Sequence, residues 1–355
     1  MAATSILHDI QFVPIQNNGS PASLTSASNH AETFRIVSWN TLADRYTHYQ
    51  VKDRSKKDRK VFNPYRRHKL LGRTFQHFVD INVDFICLQE VDFKIAREKL
   101  VLSNGYTRLL TPTGYGQGGA DIRVDACCIF YKSKDWRILG KEEIVDLDDL
   151  ACMGKTFRKG NFGIIACFQQ KSIPQKIVVI CNSHLHWNPK YEYVKLYQAH
   201  YLCKKAQKVL DILLKKELEP HLIFCGDFNS KPGGLVHTYI TSGEICTKHI
   251  SRLKENNLKC PLHNLCLKSI HTKHSSKHGE HNSGGNEDVM FTNATSDFVG
   301  VIDYIFHASS LCVRKVLSFP KIPSNIPGRK EPILPTSKWA SDHLAIGAEF
   351  IFAPK

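Results

Sequence analysis

HLIFCGDFNSKP, residues 221–232, is the stretch on which the reading of this chain turns. Residues 222–225 are apolar and predict a short buried strand. Gly226 then lets the backbone approach a neighbour closely. Asp227 and Asn229 are two apart, so in an extended segment both side chains leave the same face. Ser230, Pro232, Gly233 and Gly234 end the strand in a turn. A carboxylate and an amide aimed alike suit metal-assisted phosphate chemistry. The carboxylate can ligate a hard cation or orient a water, and the amide can hold a phosphate oxygen. Aspartate at a strand end is equally a turn former, so the rest of the chain has to decide.

Working outward, the same pattern recurs. Residues 34–40 read as a strand ending on Asn40. Residues 65–82 carry Leu70, Leu71, Phe75, Phe78 and Val79 near helical spacing. A strand at 84–88 runs into Glu90, and 93–102 read as a further helix. Strands are also expected at 124–131, 163–168 and 176–182, the last delivering His184 and His186. A long amphipathic helix over 191–216 leads back to the opening stretch. Asp303 lies inside the apolar run 299–306, where burial is costly unless the charge is paired. Ser341, Asp342 and His343 precede the final strand, 344–352. Asn40, Glu90, His184, Asp227, Asn229, Asp303, Asp342 and His343 thus all sit in or beside strand ends. That predicts a layered α/β domain with its polar residues gathered at one end of its sheets. The Gly-rich run 111–119 lacks the lysine and helix of a phosphate-binding loop. Acidic and amide oxygens with histidine suit phosphoester hydrolysis by activated water.

Composition sets the boundaries. Lys and Arg number 48 against 33 Asp and Glu, a net charge of +15, which favours an anionic partner such as nucleic acid or an acidic membrane surface. Cysteines lie scattered in apolar runs, as buried free thiols of a reducing compartment do. No run is apolar enough to span a membrane, and no charged-then-apolar leader opens the chain. No Lys or Arg precedes Arg35, which argues against a mitochondrial transit peptide and leaves cytosol or nucleus as the expectation. Residues 1–33 read as a disordered or loosely docked tail, 34–355 as one catalytic domain, and about 247–290 as a polar insertion within it. The acidic cluster in 141–150 reads as a solvated face. The His-rich segment 271–285 reads as a flexible part of the insertion. Cys260, His263 and Cys266 match no standard zinc spacing.

Seven motifs in order then carry a resemblance: SWNTLADRY (38–46), CLQEVD (87–92), VDACCIFYK (124–132), NSHLHWNP (182–189), CGDFNSKP (225–232), DFVGVIDYIF (297–306) and SDHLAI (341–346). The chain resembles the exonuclease/endonuclease/phosphatase superfamily over about 34–352. Within it, HLHWNPKYEYVKLYQ and DFVGVIDYIF are similar to the branch holding the carbon catabolite repressor deadenylases, nocturnin, angel and 2′-phosphodiesterase proteins.

The resemblance implies a DNase I-like fold of two packed mixed sheets flanked by helices. It implies one or two Mg²⁺, or Mn²⁺ in its place, held among Glu90, Asn40, Asp227, Asp342 and His343. His184 and Asn229 would hold the scissile phosphate, and Asp227 would position or deprotonate the attacking water. Asp303 would pair with His343 or help bind metal. Pro189 and Phe298 match positions that sandwich a 3′-terminal adenine. The activity expected is 3′→5′ exoribonuclease action on poly(A) or a similar RNA end, releasing 5′-nucleotides. The alternative is hydrolysis of a 2′-phosphate, 2′,5′-linkage or cyclic phosphate. A non-catalytic binding module would have lost Glu90, Asp227 or His343, and all are present. No leucine-rich repeat of the kind that docks such enzymes into the large deadenylase complex precedes the domain.

Overall fold

Neighbouring residues of the 222–225 run face two different cores. Leu222 and Phe224 point one way, Ile223 and Cys225 the other. The computed structural model describes residues 6–15, 33–52, 58–92, 105–111, 125–245, 247–255, 258–270, 291–324 and 332–353. In chain order, β1 (Phe12–Pro14) and β2 (Thr33–Asn40) lead to helices α1 (Asp44–Val51) and α2 (Pro64–Asp80). Then come β3 (Phe85–Asp92), β4 (Tyr106–Leu110), β5 (Asp125–Lys132), β6 (Trp136–Ile138), β7 (Glu143–Asp146), β8 (Phe162–Gln170) and β9 (Lys176–His184). Helix α3 (Glu192–Leu214) precedes β10 (Glu219–Asp227), and α4 (Leu235–Ser242) and α5 (Thr247–Glu255) follow it. The remaining strands are β11 (Lys268–Ser269), β12 (Asn293–Ala294), β13 (Val299–Gly300), β14 (Asp303–His307), β15 (Leu311–Leu317) and β16 (Ile346–Phe352).

Apart from β12 and β13, which pair with each other, these strands build two facing sheets, ordered β1-β15-β16-β2-β3-β5-β4 and β11-β14-β10-β9-β8-β6, with β7 also on β8. Both are mixed: β2–β3 and β9–β10 are parallel, the other pairs antiparallel. Strand alternation fills the layers. Phe34 and Ile36 of β2, Val178 and Ile180 of β9, and Ile223 and Cys225 of β10 meet between the sheets. Val37 and Trp39 face α2, while Val179 and Cys181 face α3. Fully burying one such side chain stabilises by about 1.5–3 kcal/mol. Helix α2 starts where Asn63 accepts the Arg66 N–H and Pro64 takes the first turn. It buries Leu71, Thr74 and Phe78.

The fold differs from the sequence reading in several places. Residues 6–14, expected within a disordered or loosely docked tail, are docked: β1 pairs with β15, and Ile10 is fully buried against the first sheet. The pairing partner is some 300 residues away, so no local pattern announces it. The expected strand 299–306 is two strands, because the chain leaves the ladder at Val301 and Ile302. The acidic cluster is not merely solvated. Asp148 accepts the Lys159 and Gly160 N–H groups, Asp149 accepts the Tyr201 hydroxyl, and Glu143 pairs with Lys205. Part of the polar stretch also packs inward, since Leu253 and Leu267 join the second sheet's outer core. The readings for 93–102, 112–119 and the His-rich 271–285 fall outside the described residues.

Candidate active site

The layer parity continues to the mouth of the sandwich. Asn40 follows Phe34 and Ile36, His184 follows Val178 and Ile180, and Asp227 follows Ile223 and Cys225. Asp303 shares the parity of Ile305, which is also between the sheets. Each side chain therefore leaves its strand into the space between the sheets. Register brings them level: Asp227 is paired with His184 on one side and Asp303 on the other.

Glu90 breaks the alternation. By period two it would share the face of Leu88, towards α2. A bulge between Leu88 and Val91 and a left-handed backbone at Glu90 (φ 51°) turn it inward. Asn40 Nδ2 then donates to Glu90 Oε1 at 3.0 Å and to Asp227 Oδ2 at 3.1 Å. His184 Nε2 lies 3.8 Å from that Glu90 oxygen and 3.6 Å from that Asp227 oxygen. Two anionic oxygens thus converge on the same two nitrogen groups, and a polar shell holds them there. The Ala43 N–H donates to Glu90 Oε2, and the Leu42 N–H to Asn40 Oδ1. Such a set of hard oxygen donors fits a divalent cation. Asp227, Asp303 and His343 form a second convergence, with ligand atoms within 4.8 Å of one another.

His343 Nδ1 meets Asp303 Oδ2 at 2.8 Å, and its Nε2 faces Asp227 at 3.7 Å and Asp342 at 3.9 Å. Burial disfavours the imidazolium, but Asp303, Asp342 and Asp227 outweigh it and hold the His343 pKa well above the usual histidine range. Burial raises Asp303 to about 6, against the pull of His343. At neutral pH the proton therefore belongs on the ring. Because the folded pKa of His343 exceeds the unfolded one, its contribution to stability is complete below about pH 6.5 and fades as pH rises through the folded value. In EDTA at about pH 7.5, nitrogen NMR is expected to find His343 doubly protonated. A neutral ring there would contradict this electrostatic account.

Asn229 departs from expectation. Its backbone is left-handed (φ 47°), so it does not share an extended face with Asp227. Its N–H donates to Asp227 Oδ1, closing an Asx turn, and its Nδ2 donates to the Leu185 carbonyl. Pro189 is exposed on the turn after β9, and Phe298 is half-buried between β12 and β13 with Lys231 Nζ 5.3 Å from its ring centre. Neither belongs to the hydrogen-bonded cluster. Cys260 and Cys266 are exposed, and both ring nitrogens of His263 are taken by the backbone of Tyr239 and Leu265. Among the described residues, no metal-ligand cluster includes them.

Several positioning residues were missed. Lys195, buried on α3, donates to the Asn229 carbonyl at 2.6 Å. A lysine on the apolar stripe of a helix was the signal for it. Gln50 of α1 donates to Asp342 Oδ2 at 2.6 Å. The Ser341 hydroxyl donates to the Asn40 carbonyl, and Thr292 receives the Ile302 and Asp303 N–H groups. Fully buried Arg67 ties Asp44 to the Leu42 and Ala340 carbonyls, bracing the two loops on either side of the cluster. Apart from those of Thr292 these contacts span more than twenty residues, and no spacing in the sequence encodes them.

A profile of the "Endonuclease/Exonuclease/phosphatase family" matches residues 37–343. Carbon catabolite repressor protein 4 homolog 4 of Arabidopsis thaliana is 29% identical over 350 residues, covering 89% of this chain and 77% of that protein. The CCR4-Not complex 3′-5′-exoribonuclease subunit Ccr4 of Candida glabrata is 29% identical over 383 residues, covering 97% of this chain and 41% of its own. The chain spans less than half the length of several such fungal relatives. Among solved structures, ANGEL2, a 2′,3′-cyclic phosphatase, superposes with a TM-score of 0.67 at 21% identity, covering 90% of this chain and 96% of that one. The human Nocturnin catalytic domain gives 0.62 at 18% identity, covering 98% and 100%. These two likenesses concern the fold.

Proposed function

Because this chain belongs to the endonuclease/exonuclease/phosphatase family, we propose that it is a Mg²⁺-dependent 3′→5′ exoribonuclease acting on poly(A) or similar RNA 3′ ends. The observation that carries the reading is the convergence of Glu90 and Asp227 on Asn40 and His184, with His343 facing the same Asp227 oxygen. The curated relatives at 29% identity named as 3′-5′-exoribonucleases point to the substrate.

Glu90, Asn40 and Asp227 would hold the cation, with the His343 ring facing both Asp227 and Asp342 beside them. When bound, it supplies charge neutralisation on the phosphoryl oxygens. The chain's own groups do the rest. His184 and the Asn229 amide hold the scissile phosphate. Asp227 orients a water and accepts its proton as the water attacks phosphorus in line with the 3′ oxygen. The P–O3′ bond breaks, the 3′ oxygen leaves and takes up a proton, and a 5′-nucleotide is released. His343, kept cationic by Asp303, faces the phosphoryl charge that builds in the transition state. Pro189 and Phe298 flank the terminal adenine, where stacking contributes about 1–3 kcal/mol per base. Eleven cysteines among the described residues stand outside any disulfide, which fits action in a reducing compartment such as the cytosol or nucleus.

The test is digestion of a 5′-labelled RNA ending in twenty adenosines, beside the same RNA ending in uridines or cytidines. The expected result is a ladder shortening from the 3′ end, fastest on adenosines and absent with EDTA or in Glu90→Ala. A folded protein that leaves the adenosine end intact, yet releases phosphate from 2′-phosphorylated or cyclic-phosphate nucleotides, would replace this reading with the alternative one.

A further inference from the structure

Helix α1 has two sides with different chemistry. One side faces the cluster: the Ala43 N–H at the start of the helix meets Glu90 Oε2, and Gln50 near its end holds Asp342. Beside it, α1, the 3₁₀ turn Asp58–Phe62 and the start of α2 enclose an open groove of about 740 Å³. His48, Arg59, Lys60 and Arg66 line it over an apolar floor of Val51 and Phe62, and among the described residues none that lines it is acidic. Arg59, Lys60 and Arg66 are solvent-exposed. Two large aromatics stand out on the adjoining surface: Tyr49 is 66% exposed and Tyr65 72%. The His48 and Tyr49 ring centres lie 3.9 Å apart, with the two planes tilted by 37°.

A basic run on a convex surface is a solvated face. A concave basic lining with an apolar floor and exposed aromatics is the combination that binds single-stranded nucleic acid, through phosphate contacts and base stacking. The groove is about one helix diameter, some 10 Å, from Asp342 across α1. On the reading of the site as an exoribonuclease centre, we propose that this groove holds the single-stranded RNA on the 5′ side of the scissile bond. Arg59, Lys60 and Arg66 contact successive phosphates, and Tyr49 and Tyr65 stack on bases. The groove gives the enzyme a preference for strands several nucleotides long.

The test measures binding without catalysis. Fluorescence anisotropy in EDTA compares labelled A15 and A3 on the wild type and on Arg59→Ala/Lys60→Ala/Arg66→Ala. A control removes the same charge from the exposed end of α3, on the opposite face, as Lys208→Ala/Lys215→Ala/Lys216→Ala. Melting curves verify that all three are folded. The groove variant is expected to bind A15 at least tenfold more weakly, with most of the length advantage over A3 lost. The slope of log affinity against log salt should become shallower by about 2, since each single-strand phosphate contact contributes about 0.7. The control should bind as the wild type does. Equal A15 affinity in the groove variant, or an equal loss in the control, overturns the proposal. Hydrolysis of A15 by the wild type is scored separately. A protein that binds A15 through the groove but never shortens it leaves this inference standing and removes the exoribonuclease reading.

Discussion

An Asp227→Asn variant is expected to lose about 10³–10⁴-fold in kcat on an adenosine-ended RNA while still unfolding cooperatively. Loss of one positioned acid–base group costs about 10²–10⁴-fold, and Asp227 is asked to do more than one thing. It is buried, accepts from Asn40 and from the Asn229 N–H, and lies within 3.6 Å of His184 and 3.7 Å of His343. An amide keeps the shape but not the charge, and it must either present its own NH₂ to Asn40 or lose one of these partners. The folded state should not suffer in proportion, because Glu90, Asp303 and Asp342 crowd the same cleft and one fewer negative charge relieves repulsion. In EDTA the variant is therefore expected to melt at or above the wild-type temperature. With Mg²⁺ the order should reverse. A ligand at a hundred times its Kd stabilises by about 2.7 kcal/mol, and the variant should lose most of that shift. A rate within tenfold of wild type, or an undiminished Mg²⁺ shift, would remove Asp227 from the centre of the chemistry.

One residue earlier, the expectation concerns stability. Gly226→Ala should destabilise by about 4 kcal/mol or more, a large part of the 5–15 kcal/mol that holds a typical domain together. Gly226 has φ 138°, a region that disfavours any side chain. A Cβ there would lie 1.9 Å from the Ser183 carbonyl oxygen, and 3.0 and 3.1 Å from the Ser183 carbonyl carbon and nitrogen. Those atoms are the backbone of β9, Gly226's partner in the parallel ladder, and β9 is flanked on its other side by β8. Neither strand can step aside without moving His184 or Asp227. Denaturant unfolding of a soluble fraction, or failure to obtain one, is the readout. A midpoint close to wild type would mean that the β9–β10 contact yields more easily than this geometry allows.

The sequence made much of this legible, and the reasons differ by residue. The apolar runs that became β2, β3, β9, β10 and β16 were readable because each is buried on both faces and hence almost continuously apolar. Gly226 was readable as a close approach because only glycine tolerates one. The polar residues at strand exits stood out because burying them without partners is costly. Their mutual placement was not readable. Glu90 reaches the cluster only through a bulge that period-two reasoning would not allow, and a left-handed turn takes Asn229 off the extended face that such reasoning shares with Asp227. Lys195, Gln50 and Arg67 act through contacts with residues far along the chain. The docking of 6–14 likewise depends on β15, close to the other terminus.

Strands β10 and β14 are ladder neighbours, with Asp227 directly opposite Asp303, although α4, α5 and three short strands intervene between them. The entropy of closing a loop grows only with the logarithm of its length, and doubling such an excursion costs about 0.6 kcal/mol. The spacing of the two carboxylates is held by the ladder and by the Thr292 hydroxyl at the Asp303 N–H, not by the length of the chain in between. Its length can change while the two carboxylates stay in place, as long as Thr292 keeps the Asp303 N–H and Leu253 and Leu267 keep their places in the core. Catalytic geometry and the length of this segment are in this respect separable engineering problems.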